Sequence, residues 1–226
     1  MRIAILMANT DETAFAHHHP KDGEKFNTLM SLARPNWAYP VFRVKDGIFP
    51  ESFEGIDGAI ITGSPASVHD QDEWIAELED LIRKWVAAGV PFYGVCFGHQ
   101  IIAKALGGIV SKNPQGWVLG AIQTNFRSGD RVAAFAAHTE QVTTLPDEAE
   151  IIASTPGCVA AGYRIGEKIE TTQYHPEMTQ EFMADLLKEH RDYLGEEVTN
   201  AAEASLHIKP DAAGWAERIA LFFETR

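Results

Sequence analysis

The chain predicts an α/β protein of three layers, a central and mostly parallel sheet with helices on both faces. Three observations carry this expectation. RIAILMA (residues 2–8) is a short, almost unbroken apolar run, the pattern of an internal parallel strand covered on both faces. GAIIT (58–62) and PFYGV (91–95) repeat it. Between them, residues 72–88 carry Trp74, Ile75, Leu78, Leu81, Ile82, Trp85 and Val86 at three- and four-residue spacing, an amphipathic helix ended by Gly89. The chain has 226 residues, 45% of them hydrophobic, enough to bury one substantial core, and a single domain is expected.

The remaining elements follow in order. Residues 9–24 are polar, contain HHHP and read as a loop, after which a short helix runs through Ala33 and PVFRVKD (40–46) reads as a strand. FGHQIIAKALGG (97–108) is a helix closed by a glycine pair, which leaves Cys96 at a strand-to-helix junction. From Ile109 to Tyr174 the short segments GIVSK, GWVLGAIQT, RVAAFAAH, EIIAST, VAAGYRI and KIETTQY are punctuated by Pro and Gly, with little helical signal. They either extend the main sheet or build a small antiparallel layer. A helix is expected over 179–189, then a polar stretch, then an amphipathic helix over 211–223. No repeat, low-complexity run or linker is evident. HIKP (207–210) comes nearest to a hinge, and residues 191–226 are expected to form a helical extension rather than a second domain.

Composition excludes several classes of partner. With 32 acidic against 19 basic side chains the net charge is -13, which repels phosphate backbones and anionic lipid surfaces, so nucleic acid is not an expected partner. No basic-and-apolar leader opens the chain, and no apolar run approaches the roughly 20 residues that span a bilayer. A cytoplasmic protein without a membrane partner is expected. The two cysteines, Cys96 and Cys158, are far apart in sequence and read as free thiols in a reducing compartment.

Cys96 admits two readings. It is a small buried hydrophobe, or a nucleophile on a sharp turn above the carboxyl edge of a parallel sheet, where such sheets present their ligands. The N–H groups of the first helical turn stabilise a thiolate and can also receive an oxyanion. Gly94 and Gly98, two residues either side, permit the tight turn of a nucleophile elbow. A nucleophilic thiol needs a base and the base an orienting group, and TTQYHPE (171–177) supplies His175 at a strand end with Glu177 two positions on.

Together GVCFGHQ and TTQYHPE resemble the triad-type, class I glutamine amidotransferase family, whose patterns are a GxCxGxQ elbow and a downstream HPE. ITGSP (61–65) resembles the oxyanion loop, with Ser64-Pro65 where many members have a proline and a second glycine. HTEQVTTLP (138–146) resembles the segment that walls the glutamine site. The resemblance runs from the first strand to about Glu189 and implies a flavodoxin-like fold with a small β layer. It implies that Cys96 attacks the γ-carbonyl carbon of glutamine while the N–H groups of Gly63 and Phe97 hold the oxyanion. His175 would protonate the leaving ammonia and then activate water, with Glu177 orienting its ring. Gln100, Ser64, His138 and Trp117 would bind substrate, and no metal or redox cofactor is needed.

Other conspicuous residues have plainer readings. His17, His18 and His19 cannot all face one ion in an extended chain and read as a solvated loop that could border the cleft. Trp74, Trp85 and Trp215 lie on apolar helical stripes and read as core, Trp117 fits either core or pocket wall, and Cys158 lacks a base and reads as structural. Three functions remain open. The first is a glutaminase that releases ammonia to a partner synthetase, since the chain holds no GxxxxGK[ST] loop of its own. The second is a stand-alone hydrolase of γ-glutamyl peptides or amides. The third is a catalytically silent binding module, against which an intact Cys96, His175 and Glu177 argue.

Overall fold

The computed structural model describes residues 1–225. The first half alternates strand and helix: β1 (Ile3–Leu6), α1 (Ala14–His18), α2 (Asp22–Ser31), β2 (Val41–Phe42), β3 (Gly58–Ile61), α3 (Glu73–Ala87), β4 (Phe92–Val95) and α4 (Phe97–Ala105). The second half adds β5 (Ile109–Lys112), β6 (Val118–Phe126), β7 (Arg131–His138), β8 (Glu140–Thr144), β9 (Ala149–Thr155), β10 (Cys158–Ile165) and β11 (Ile169–Thr172). Four helices follow: α5 (Gln180–Glu189), α6 (Arg191–Leu194), α7 (Glu196–Ser205) and α8 (Ala212–Glu224).

One nine-stranded sheet runs β2-β1-β3-β4-β11-β10-β9-β6-β7. Its first five strands are parallel, and β10, β9, β6 and β7 continue it antiparallel. β5 and β8 pair separately as a two-stranded antiparallel layer. The second-half segments therefore do both of the things their sequence allowed. All four residues of β1, of β3 and of β4 are buried, because helices cover both faces. Alternation sorts their side chains: Ala4, Leu6, Ala59 and Ile61 meet α3 and α4, whereas Ile3, Ile5, Ile60 and Tyr93 meet α2 and α8. Trp74, Trp85 and Trp215 are buried in these layers, as their spacing predicts.

Three segments differ from the sequence expectation. The polar run 9–24 holds α1, started by Thr13, whose hydroxyl accepts the Ala16 N–H, as well as the first turn of α2. The strand expected over 40–46 shortens to Val41–Phe42, because the chain then turns through a 3-10 helix at Val44–Asp46 that Gly47 ends at φ 72°. The polar stretch before the last helix is helical: α6 and α7 are separated by Gly195 at φ 84°, and Arg191 ties them together through Glu196 and Glu203.

The sheet meets the elbow helix at unusually close range. A Cβ on Gly98 would stand 2.2 Å from the Ile61 carbonyl oxygen, and one on Gly94 would stand 2.7 Å from the Gly98 carbonyl. Both neighbours are backbone and cannot swing away. Gly98→Ala is therefore expected to lower stability by about 1–3 kcal/mol, as overpacking does, read as a lower urea midpoint at an unchanged slope. An unchanged midpoint would show that β3 and α4 can separate without cost.

Candidate active site

The site begins at the end of β4. Cys96 leaves the strand at φ 49° and ψ -104°, one of two non-glycine residues with positive φ among those described. Its own N–H still donates to the Thr172 carbonyl (2.9 Å), which prolongs the β4–β11 pairing, and its carbonyl already accepts the Gln100 N–H (3.0 Å) of the first helical turn. The residue therefore belongs to strand and helix at once. Gly98 N–H donates across to Thr62 (3.2 Å) and locks the turn onto the end of β3. The N–H groups of Gly63 and Phe97, beside the thiol, donate to no group among the described residues. The Phe97 ring points the other way and packs on Trp74.

His175 is brought to the cysteine from the end of β11, the strand beside β4. Its N–H donates to Phe135 of β7 (2.7 Å), an isolated bridge that pins the backbone just after β11. Gly63 leaves room for the ring, since a Cβ there would lie 2.6 Å from His175 Cε1. Nδ1 is 2.7 Å from Glu177 Oε1. A carboxylate only accepts, so Nδ1 carries the proton and Nε2 is left for the Cys96 sulfur. The imidazole and carboxylate are 6% and 1% exposed. Burial disfavours the imidazolium, yet the charges of Cys96 and Glu177 and their hydrogen bonds outweigh it and raise the His175 pKa well above the ordinary value.

The walls are polar on one side. Gln100 donates through Nε2 to the Glu140 carbonyl (2.8 Å) and to Gln173 Oε1 (3.3 Å), while Gln173 Nε2 faces the Cys96 sulfur at 3.7 Å. His138 donates from Nδ1 to the Glu140 carbonyl (3.0 Å), which leaves a buried Nε2 as a bare acceptor. The other side is apolar: Trp117, Leu119, Met178, Phe182, Leu186, Tyr193 and Leu194. All of these, with Gly63, Ser64, Gln100 and Gln173's neighbours Cys96 and His175, surround a cleft of ≈ 380 Å³ that also reaches Asn9, Asp22 and Lys25.

The structure thus gathers Cys96, His175 and Glu177, and sets Gly63, Ser64, Gln100, His138 and Trp117 along the same cleft. Trp117 also stacks edge-on with Tyr193. His17 and His18 are exposed, and His19 packs against Phe15 and Phe182. Cys158 is fully buried, and burial pushes its thiol up to about 12 despite a contact with Tyr174. The loop over 9–24 borders the cleft through Asn9, Asp11 and Asp22, as the sequence allowed, and the helix expected over 179–189 lines it with Phe182 and Leu186, whereas Lys25, Gln173 and α6 carry no sequence expectation of a place at the site. Gln173 could have carried one, since it stands two positions before His175 in an extended segment and so shares its side.

Comparison with known proteins agrees with this geometry. The family model described as glutamine amidotransferase class-I matches residues 25–190. γ-Glutamyl peptidase 4 of Arabidopsis thaliana is 31% identical over 199 residues, spanning 81% of this chain and 78% of that relative. A glutamine-hydrolyzing GMP synthase of Porphyromonas gingivalis is 33% identical over 144 residues, 57% of this chain but 26% of the synthase. A solved glutamine amidotransferase of Thermotoga maritima shares the fold with a TM-score of 0.74 at 19% identity, covering 99% of this chain and 98% of that one.

The buried His138 makes the site acid-sensitive. Burial, helped by the nearby His175 charge and opposed by the Glu140 carbonyl, holds its pKa down to about 4, against about 6.5 when unfolded. The unfolded state takes the proton first, so the stability His138 contributes is full above about pH 6.5 and is lost as pH falls toward 4. Between about pH 6.5 and 5 this is worth about 2 kcal/mol. In His138→Gln the unfolding free energy should fall by that much less over the same interval. Equal falls in the two proteins would mean that the ring is hydrated.

Proposed function

The chain belongs to the class-I glutamine amidotransferase family, and from that premise we propose that it hydrolyses γ-glutamyl amides whose leaving amine is larger than ammonia. The observation that carries the reading is the pairing of a strained Cys96 elbow with the buried His175–Glu177 couple on the floor of an open, half-apolar cleft.

In this mechanism the Cys96 thiolate attacks the γ-carbonyl carbon of the substrate. The oxygen becomes an anion and is received by the idle N–H groups of Gly63 and Phe97. The intermediate collapses, the C–N bond breaks, and the amine leaves with the proton that His175 carries on Nε2. A γ-glutamyl thioester remains on Cys96. His175, now neutral, takes a proton from water, hydroxide adds to the thioester, and glutamate departs as the thiolate re-forms. Glu177 accepts from Nδ1 throughout and stabilises each imidazolium state.

The wall residues suit the glutamyl end. Both N–H groups of Gln100 are engaged, so its Oε1 and the bare Nε2 of His138 are the acceptors available to an α-ammonium. The Ser64 hydroxyl can donate to the α-carboxylate. Trp117 and Tyr193 then border the leaving group. A cleft of ≈ 380 Å³ exceeds what ammonia requires, and relatives matched along most of their length are named γ-glutamyl peptidases. Supply of ammonia to a separate synthetase is the competing reading, and the synthase relative is matched over only 26% of its length.

Purified chain, with no partner present, should release glutamate from γ-glutamyl amino acids at a higher kcat/KM than from glutamine. Preference for glutamine would turn the reading to ammonia supply. Cys96→Ser should abolish turnover of every γ-glutamyl substrate, and a γ-electrophilic glutamine analogue should label Cys96. Label on Cys158 would misplace the nucleophile.

Glu177→Gln separates the triad from a bare dyad. The amide still accepts the Nδ1 hydrogen but lacks the charge that stabilises imidazolium. We expect kcat to fall at least about tenfold with KM changed much less, since the lost interaction strengthens in the transition state. A loss below twofold would remove Glu177 from the reaction.

A further inference from the structure

We propose that Lys25 is a specificity-determining residue that receives the free carboxylate of the departing amine. The preferred substrates are then γ-glutamyl amino acids or peptides with an open C-terminus. The proposal rests on the hydrolase reading above and names its leaving group.

Lys25 lies one turn into α2 and is the one lysine or arginine among the described residues that line the cleft. Its ammonium stands 3.0 Å from Asp22 Oδ1 and 3.8 Å from the centre of the Phe182 ring. The other oxygen of Asp22 accepts the Asn9 amide at 2.9 Å. Asp22 is therefore satisfied at both ends, and the effect of the Asn9–Asp22–Lys25 chain is to aim the lysine. An ammonium has three N–H groups. One is met by Asp22 and one by the aromatic face, so a third has no acceptor in a side chain only 10% exposed. That third N–H is free to take an acceptor carried by a ligand in the cleft.

The other charged side chains that border the cleft, besides the catalytic couple, are carboxylates. Asp11 and Glu140 also border the cleft, in a chain of net charge -13. Asp11 Oδ1 accepts from the Thr13 N–H and hydroxyl, and Glu140 Oε2 accepts from Ser67. Neither supplies a donor to a carboxylate, and both repel one. A γ-glutamyl amino acid held by Cys96 carries a second carboxylate on its leaving half, and Lys25 is the one lysine or arginine among the described residues that border the cleft and could receive it. Phe182, which lies against Lys25 and also lines the cleft, gives the leaving residue an apolar surface beside that berth.

The test compares γ-glutamyl-leucine with γ-glutamyl-leucinamide, which differ only in the terminal charge, on the wild-type chain, Lys25→Met and Lys25→Arg. The wild type should prefer the acid by about tenfold or more in kcat/KM, expressed in KM, the size expected of a hydrogen bond between charged groups. Lys25→Met should reduce the acid-to-amide ratio to within about twofold, and Lys25→Arg should keep most of it. A merely structural lysine would lower both substrates in parallel and leave the ratio unchanged, which overturns the proposal. The wild-type ratio is a test that needs no variant to fold, and its absence overturns the proposal as well. Turnover of neither substrate overturns the hydrolase reading and this proposal with it. Turnover of both without the charge preference overturns the Lys25 assignment alone.

Discussion

A cysteine at φ 49° occupies a conformation that costs about 1–3 kcal/mol for a residue with a side chain, and it persists because the surrounding backbone allows no other path. Cys96 N–H is committed to Thr172 and its carbonyl to Gln100, so strand pairing and helix start meet on a single residue. Gly94 and Gly98 bring α4 so close to β3 and β4 that neither can carry a Cβ. Consequences follow outward from that contact. The thiol projects above the sheet edge, the first N–H groups of α4 stay unspent, and the end of β3 delivers Gly63 beside them. Relaxing the turn would lose all of these together.

The electrostatic arrangement follows from burial. Cys96, His175 and Glu177 are all buried, where an isolated charge is costly and a compensated set is tolerated. Burial pushes both neighbouring rings toward the neutral form, and their partners decide the outcome. His175, beside Cys96 and Glu177, is raised well above the ordinary value, whereas His138 is held down to about 4 by burial and the nearby His175 charge, opposed by the Glu140 carbonyl. His99, deeper still, donates or accepts only through Thr171 and is driven down to about 3 by burial, with His138 adding to the effect. One cleft therefore presents a protonated ring at His175 and a neutral ring, with Nε2 as a hydrogen-bond acceptor, at His138.

What was legible in the sequence divides along physical lines. Strands buried on both faces announce themselves as apolar runs, and α3 by its stripe, because a sheet between helix layers leaves no polar alternative there. The elbow could be read because its glycines and cysteine are required by sterics at fixed offsets, and the His175–Glu177 couple because it is local in sequence. Long-range features left weaker traces. Whether 109–174 joins the main sheet depends on β11 pairing with β4, a contact no local pattern encodes. Within the helical extension expected over 191–226, α6 and α7 were not separately legible, because α6 has four residues and α7 buries only Thr199 and Ala202. Lys25 and Asp22 read as ordinary surface charges until α5 folds over them and Phe182 closes the lysine in.

That division separates the reacting groups from the groups that choose what reacts. Cys96 lies in a segment whose glycine spacing is dictated by backbone sterics, and His175 and Glu177 lie two residues apart just after β11. The apolar wall comes from elsewhere, from α5, α6 and the turn before β6, and the charged berth from the loop that holds α1 and the start of α2. Those segments cross the mouth of the cleft without taking part in the sheet. α1 is anchored there by Phe15, which packs on Phe182 and His190, and by His19 near Asp185. Because α1 and α5 hold each other by a few ring contacts and the approach of His19 to Asp185, their sequences can change without disturbing Cys96. The side of the cleft bordered by α1 and α5 can thus change while the turn at Cys96 beneath it keeps its geometry.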